Sequence, residues 1–293
     1  MFCTNQKIWM KLWGVRGSRA TDDQEVGGAT TCIEMRAGSS TRLVFDGGTG
    51  IIAFGNTLFA ELAKGPVTVH LFLTHLHTDH WEGLRFFDPL HHPNLKLVIW
   101  GRKGLVRMLR KQMFDGNSFP VTPDMLKADI TCMLVEDDGV YVIPTPEGKN
   151  VVVHARSLNH PGGCFGYRVE YDGASAAIIQ DHEEQIEDTP EAAQLERNLV
   201  ELVSGVDLVA FEVQYSDDMY FGRDGPSRKG WGHDRVGHAA KVLELAAPKA
   251  VKIVHADPDR GNLAFVTTIA SAVQKATGIP TTPGIQGEEV TCG

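Results

Sequence analysis

Apolar positions alternate in short runs from Ile8 to Gly17 and again from Thr30 to Asp46. Glycines break these runs into strand-length pieces, and LVFDGGTG closes the second as a strand entering a glycine-rich turn. The period then changes. In IIAFGNTLFAELAKG the apolar residues return at every third or fourth position up to Gly65, which predicts a helix. VTVHLFLT behind it reads as a largely apolar strand, and LKLVIW followed by GLVRMLRKQMF repeats the strand-helix alternation. VVVHARSL, GYRVEY and ASAAIIQ have the pattern of a meander. The last third alternates again, with LVAFEV, HAAKVLELAA, AVKIVHA and NLAFVTTIASAVQKATG predicting strand, helix, strand and helix. Strands in runs, with helices able to cover the outer face of each sheet, predict a four-layer α/β sandwich over a regularly alternating doubly wound sheet. No Pro/Ser-rich linker divides the chain, so residues 1–293 read as one domain, and no internal repeat is evident. Residues 116–138, with turn residues in DGNSFPVTPD and acids in VEDDG, read as an inserted loop or lid.

Composition narrows the class. With 42% hydrophobic and 22% charged residues among 293, the chain is neither disordered nor fibrous in character. The 28 Lys and Arg against 37 Asp and Glu leave a net charge of −9. That balance opposes stable nucleic-acid binding, because Lys and Arg neutralising phosphates carry most duplex affinity. Small anionic ligands stay open, since a metal ion supplies local positive charge. Cys3, Cys32, Cys132, Cys164 and Cys292 are odd in number and form no CxxC pair. They suggest neither a disulfide framework nor a thiolate zinc site, and a reducing cytoplasm is the simplest setting. Lysines interrupt the opening MFCTNQKIWMKLWG where a signal peptide needs an unbroken apolar core. No later run approaches the ~20 apolar residues of a membrane span. A soluble cytoplasmic protein with no membrane partner is expected.

The candidate chemistry lies in LFLTHLHTDHWEGL, where an apolar strand runs into His75, His77, Asp79 and His80. Imidazole and carboxylate suit zinc and related divalent ions, and a strand end turning into a helix lets these side chains reach two neighbouring positions. A solvated loop with a chance histidine explains one such residue; it does not explain HxHxDH behind an apolar strand.

HLHTDH resembles the signature of the metallo-β-lactamase fold superfamily, and the chain supplies the other elements of that family in order. LVFDGGTG resembles the strand and Asp46 turn that buttress the metal loop. NHPGG offers His160, IIQDHE offers Asp181 and AVKIVHADP offers His255, each just behind an apolar strand. The resemblance implies an αββα sandwich of the metallo-β-lactamase type binding two divalent ions, zinc first and manganese second. His75, His77 and His160 would hold one ion, Asp79, His80 and His255 the other, with Asp181 bridging them.

LWGVRGSRA, GGATTC, HPGGCFGYRVE, the QY of FEVQYSDDMY, and GWGHDRVGHAAKVLELAAPKAVKIVHADP are similar to the branch that holds the transfer-RNA 3′-processing endonuclease and small cyclic phosphate phosphodiesterases. Ala20 stands where that branch's RGSxP pattern has Pro, and Ala29 where GGNTxC has Asn. This resemblance implies a dinuclear metal-dependent phosphodiesterase cleaving a small cyclic nucleotide or cyclic ribose phosphate. A metal-bridged hydroxide would attack phosphorus, Asp79 would orient it as well as bind metal, and His233 of GWGHD would protonate the leaving oxygen or bind the phosphate. The alternatives are a thioester or lactone hydrolase using the same metals and, further off, a transfer-RNA 3′-processing endonuclease. The family builds the latter with a protruding glycine-rich basic arm that is not evident here. The expected partner is a small anionic phosphodiester and, by resemblance, a second copy in a homodimer.

The other histidines read more plainly. His70, His154 and His182 are expected to pack or to support ligands, His238 to be structural, and His91 and His92 to lie on the surface. Asp257 reads equally as a turn residue and as a substrate contact. Arg102, Lys103, Arg107, Arg110 and Lys111 form a local cationic run that reads first as a solvated helix face and second as a guide for an anionic substrate. Phe114 and Phe119 are candidate pocket-wall residues.

Overall fold

The computed structural model of the protein describes residues 7–38, 41–185 and 188–292. Two seven-stranded sheets face each other. The first is built from β1 (Ile8–Gly14), β2 (Cys32–Ala37), β3 (Thr41–Phe45), β4 (Val67–Phe72), β5 (Leu95–Gly101) and β6 (Asp129–Leu134), and the second from β7 (Val140–Pro144), β8 (Asn150–Leu158), β9 (Cys164–Tyr171), β10 (Ala174–Ile179), β11 (Leu208–Glu212), β12 (Val251–Val254) and β13 (Thr281–Pro283). β14 (Glu289–Cys292) returns to the first sheet and pairs antiparallel with β1. Each sheet has three antiparallel pairings followed by three parallel ones, in the orders β14-β1-β2-β3-β4-β5-β6 and β7-β8-β9-β10-β11-β12-β13. The halves therefore share a topology although the sequence shows no repeat.

The alternation read along the chain is what holds the layers. On β1, Ile8, Met10 and Leu12 face the second sheet and join Phe45, Phe72, Val153, Tyr167, Val169 and Ile178 in one buried cluster. On the outer face of the first sheet, Val69, Leu71, Leu97 and Ile99 meet Ile51, Phe54, Leu58 and Leu62 of helix α1 (Gly50–Leu62), residues spaced to fall on one helical face. The second sheet is covered by α3 (Pro190–Val203), α5 (Val236–Ala246) and α6 (Leu263–Thr277). The single α-helical turn α2 (Leu105–Met108) follows β5, and the four-residue α4 (Asp217–Tyr220) follows β11. This is the four-layer αββα sandwich expected from the sequence.

Phe72 is the aromatic hub of the inter-sheet core. Its ring centroid lies 5.5 Å from Phe45, 5.2 Å from Trp100 and 5.4 Å from Tyr167. The buried Tyr167 hydroxyl donates to the carbonyl of Leu73 at 2.7 Å. It ties the second sheet to the segment that leads into HLHTDH.

Three local readings change. The stretch 116–138 is not simply an inserted loop or lid: Asp129–Leu134 is edge strand β6, in parallel register with β5 from Lys96↔Asp129 to Gly101↔Leu134. As an edge strand it leaves Asp129, Met133 and Leu134 exposed, so it lacks the buried alternation that reveals the inner strands. The helix expected over GLVRMLRKQMF makes one α-helical turn and then widens into a π-helical turn over Leu109–Met113. α3 follows a run that carried no helix in the sequence reading. Its start signals are Thr189, whose hydroxyl accepts from Ala192 N at 3.1 Å, and Pro190 in the first turn. Cys3 lies outside the described residues, and the other four cysteines are free. No helix among the described residues is long and apolar enough to cross a membrane.

Replacing Phe72 with Ala removes the hub without touching a polar group. The expected loss of unfolding free energy is about 3–5 kcal/mol, read from urea denaturation followed by tryptophan fluorescence. A loss below about 1 kcal/mol would mean that the inter-sheet core does not depend on this ring.

Candidate metal centre

β1, β3, β4, β8, β10, β11 and β12 all end at the same edge of the sandwich, and the chemistry-bearing residues sit just past those ends. Asp46 follows β3; His75, His77, Asp79 and His80 follow β4; His160 follows β8, Asp181 β10, and His255 β12. The structure brings all seven sequence-predicted ligand candidates together, with donor atoms of His75, His77, His160 and Asp181 in one group and those of Asp79, His80 and His255 in another.

Asp181 faces both groups. Its Oδ2 lies 3.6 Å from His75 Nε2 and 3.6 Å from His160 Nε2, while His77 Nδ1 is 3.0 Å from His160 Nε2. Its Oδ1 lies 3.3 Å from His80 Nε2 and 2.9 Å from His255 Nε2. Asp79 Oδ2 completes the second group, 3.3 Å from His80 Nε2 and 3.5 Å from His255 Nε2, and is fixed by the Ser18 main-chain N–H at 2.8 Å. Tetrahedral zinc with bonds of ~2.0–2.1 Å sets its ligand atoms roughly 3.4 Å apart, which is the spacing of most of these pairs.

The rear nitrogens of His75, His80, His160 and His255 are spoken for, which orients their other nitrogens toward the centre. His80 Nδ1 donates to Asp46 Oδ2 at 2.9 Å, and Asp46 also accepts from the Thr74 main-chain N–H at 2.8 Å. His160 Nδ1 donates to the Gly232 carbonyl at 2.8 Å, His255 Nδ1 to Gln214 Oε1 at 3.3 Å, and His75 Nδ1 lies 3.1 Å from Thr74 Oγ1. The result is a set of buried polar atoms without hydrogen-bond partners, all aimed inward: His75 Nε2, His80 Nε2, His255 Nε2, Asp181 Oδ1 and His233 Nδ1. Buried polar groups are rarely left so. The donor set therefore fits two divalent cations.

Protonation fits as well. Burial holds His75 well below its ordinary value and pushes His160 down to about 4, leaving both as neutral imidazoles with lone pairs available. Against burial, which raises it, His255 and His80 hold Asp181 well below the usual carboxylate range. Burial would lower His255, yet Asp181 raises it to about 10. In the second group, protons occupy the place a cation would take, so metal binding there releases protons.

His233 stands at the edge of this centre, with Nδ1 4.0 Å from Asp181 Oδ2 and 3.6 Å from Glu212 Oε1. Burial pushes it down to about 3. Several supporting residues escaped the sequence reading. Buried Glu212 accepts from the main-chain N–H groups of Gln214 and Asp234. Glu183 accepts from Gly230 N at 2.6 Å, Gly232 N at 2.8 Å and the Tyr220 hydroxyl at 2.8 Å, pinning the loop that delivers both His233 and the carbonyl behind His160. Arg16, 1% exposed, joins the first strand's end to two distant loops through the carbonyls of Gly27, Asp257 and Gly261. The next residue, Gly17, touches the His255 ring so closely that a Cβ there would lie 2.5 Å from Nδ1.

Other candidates resolve into supporting or separate roles. His182 and His238 flank buried Asp234, at 3.0 Å and 2.8 Å, and His238 also reaches Glu196 at 3.0 Å. His70 accepts from Trp100 Nε1 at 3.3 Å, His154 lies 3.6 Å from Glu170, and His91 is exposed while His92 is half-buried. Asp257 Oδ1 accepts from the main-chain N–H groups of Asp259 and Arg260 at 2.8 Å each, the geometry of its turn reading. The cationic run divides: Arg102 and Lys103 reach a cleft of about 270 Å³ that opens onto His75 and His77, whereas Arg110 and Phe114 line a separate apolar cavity of about 470 Å³ on the outer face of the first sheet. No residue of 116–138 lines the cleft.

Residues 41–256 match the family described as the beta-lactamase superfamily domain. No curated protein matches the chain in sequence. Among solved structures, the fold is similar to the metallo-beta-lactamase fold protein YhfI from Bacillus subtilis, with a TM-score of 0.70 at 13% identity over 97% of this chain and 99% of that one. Unliganded yeast PDE1 gives a TM-score of 0.69 at 14% identity over 98% and 99% of the two chains. The short form of human tRNase Z gives 0.61 at 17% over 96% and 98%. At these identities the likeness is one of fold.

Asp46 backs the centre through His80 and through Thr74, whose main-chain N–H and hydroxyl both donate to it, so Asp46→Ala removes the orienting contacts behind His80 and, through Thr74, behind His75. The variant is expected to bind zinc about 10–100-fold more weakly, measured by competition with a chromogenic chelator. Unchanged affinity would show that the ligands need no such anchor.

Proposed function

Because the chain belongs to the beta-lactamase superfamily, whose metallo-hydrolases are built around such a histidine and aspartate cluster, we propose that it is a dinuclear metal-dependent phosphodiesterase cleaving a small cyclic nucleotide or cyclic ribose phosphate. The observation that carries this reading is buried Asp181, whose two oxygens each face a separate group of ligand candidates. His75, His77 and His160 would hold one ion and Asp79, His80 and His255 the second, with Asp181 shared between them; zinc suits this nitrogen-rich set, and manganese is the other candidate. When bound, the pair supplies a nucleophilic water at neutral pH and neutralises charge on the phosphoryl group during in-line displacement. The modest cleft beside His77 suits a small substrate.

The chain's own residues do the rest. Asp79, with Oδ2 held by the Ser18 N–H, accepts a hydrogen bond from the attacking water and so fixes its direction. His233 is kept neutral by burial, so it acts as a hydrogen-bond donor to a phosphoryl or leaving oxygen rather than as a standing proton source. Glu212 and Glu183 position it, the first beside its ring and the second by anchoring its loop. One domain is required, since the ligands come from strand ends of both sheets.

The reading is tested with purified protein loaded with zinc or manganese. The substrates are 3′,5′- and 2′,3′-cyclic nucleotides, ribose 1,2-cyclic phosphate, bis(p-nitrophenyl) phosphate, precursor transfer RNA, a thioester, a lactone and a chromogenic cephalosporin. Turnover of cyclic phosphates is expected; turnover confined to the thioester, lactone or cephalosporin would sink the proposal. His77→Ala should lose metal and activity together, and unchanged metal stoichiometry would contradict its place in the centre. His233→Ala should keep both metals while kcat falls about 10²–10⁴-fold; full kcat with both metals bound would remove its assigned role.

A further inference from the structure

The cleft that opens onto His75 and His77 is walled by Arg102, Lys103 and the turn from Pro161 to Gly163, and no carboxylate lines it. Arg102 Nη1 donates to the main-chain carbonyls of Gly162 and Gly163, which holds the guanidinium at the cleft wall. Those glycines have φ of +82° and +81°, conformations that cost glycine little, and a Cβ at Gly163 would lie 2.5 Å from Arg102 Nη1. Gly162, by contrast, has only His77 Nε2 within 4 Å of where its Cβ would be, so the cleft stays open on the side of that imidazole.

Lys103, the next residue, is exposed and makes no hydrogen bond or ion pair among the described residues. Several other surface cations are paired with acids: Arg235 with Glu184 and Asp217, Lys249 with Asp207, and Arg260 with Asp224. In a chain of net charge −9, an unpaired ammonium beside a guanidinium, in a cleft without carboxylates, is a local site for an anion. A phosphate monoester carries about −1.5 to −2 charge near neutral pH. The two cations match it, the guanidinium as a directional donor and the ammonium as a point charge.

We propose that Arg102 and Lys103 form a second anion subsite, so that the substrate is a phosphodiester bearing a separate phosphate monoester on the His77 side of the metal centre. This rests on the phosphodiesterase reading above. The diester to be cleaved sits at the metals, while the distant monoester lies in the cleft and sets affinity and orientation without taking part in bond breaking.

Two chromogenic esters with the same scissile bond test it with metal-loaded protein: p-nitrophenyl thymidine 5′-phosphate, and the same compound carrying a 3′-phosphate. The wild type is expected to prefer the 3′-phosphorylated ester by at least about tenfold in kcat/KM, mainly through KM. Lys103→Ala should bring the ratio close to one, and Lys103→Arg should restore most of it. A ratio near one in the wild type, or a preference unchanged in Lys103→Ala, overturns the subsite. Calorimetric titration with thymidine 3′,5′-bisphosphate gives a readout independent of turnover. If neither ester is cleaved yet the bisphosphate binds about tenfold more weakly to Lys103→Ala, the phosphodiesterase reading fails and the subsite stands. Equal binding to both proteins overturns the subsite itself.

Discussion

One buried carboxylate, Asp181, is shared between two groups of imidazoles that the chain delivers from different sheets, and the site is organised around that sharing. The carboxylate is 2% exposed, and His75 Nε2, His80 Nε2, His255 Nε2 and His233 Nδ1 around it have no hydrogen-bond partner. Leaving such groups unsatisfied in a protein interior costs free energy. The structure tolerates the arrangement because His80, His75, His255 and His160 are held from behind, by Asp46, Thr74, Gln214 and the Gly232 carbonyl. Those contacts do not neutralise the centre; they prevent its side chains from turning away to find other partners. Binding of cations then meets a preformed set of donors, and the free energy of binding adds to stability in proportion to affinity.

Topology makes the sharing possible. In both sheets the strands that feed the centre run in the same sense, so their carboxyl ends form one rim along the sandwich. The rim carries backbone strain. Ser18, Asp46 and His255 all have positive φ, at 60°, 62° and 61°, an unfavourable region for residues with a side chain. Each sits where a strand or its extension turns sharply: Ser18 aims its N–H at Asp79, Asp46 its carboxylate at His80, and His255 its ring at Asp181. Arg16 and Gly17 extend the same logic to the end of β1, one by bonding three carbonyls and the other by leaving room for the His255 ring.

What was legible in the sequence follows from this physics. Metal chemistry demands particular residue types directly behind apolar strands, so HLHTDH, NHPGG, IIQDHE and AVKIVHADP could be read by eye, and so could the strands themselves. The residues that position the ligands were much harder to see. Glu212 looks like an ordinary strand end in LVAFEV, and Glu183 like one more acid behind Asp181. Arg16 looks like a cation in a polar turn. Their roles depend on groups dozens to hundreds of residues away, which no local pattern records. β6 and α3 escaped for a related reason: an edge strand with its last residues exposed has little period to read, and α3 is mostly polar on its outer face.

The net charge of −9 shows how a bulk quantity misleads about a site. Around the candidate centre the acids are turned inward: Asp46, Asp181, Glu212 and Asp234 are at most 2% exposed and already committed to imidazoles or main-chain N–H groups. None of them lines the cleft, where Arg102 and Lys103 are the charged groups beside the histidines. Two divalent cations at the proposed positions would bring four positive charges against Asp79 and Asp181, the carboxylates among the candidate ligands, so the mouth of the site would be cationic in a chain of net negative charge. Low-dielectric walls focus such a field at the opening and let it decay quickly over the surrounding acidic surface. On the proposed reading an anion small enough to enter would be drawn in, whereas a long polyanion would also meet the chain's net charge of −9. The net negative charge and the cationic mouth would then act together as a size selection among anions.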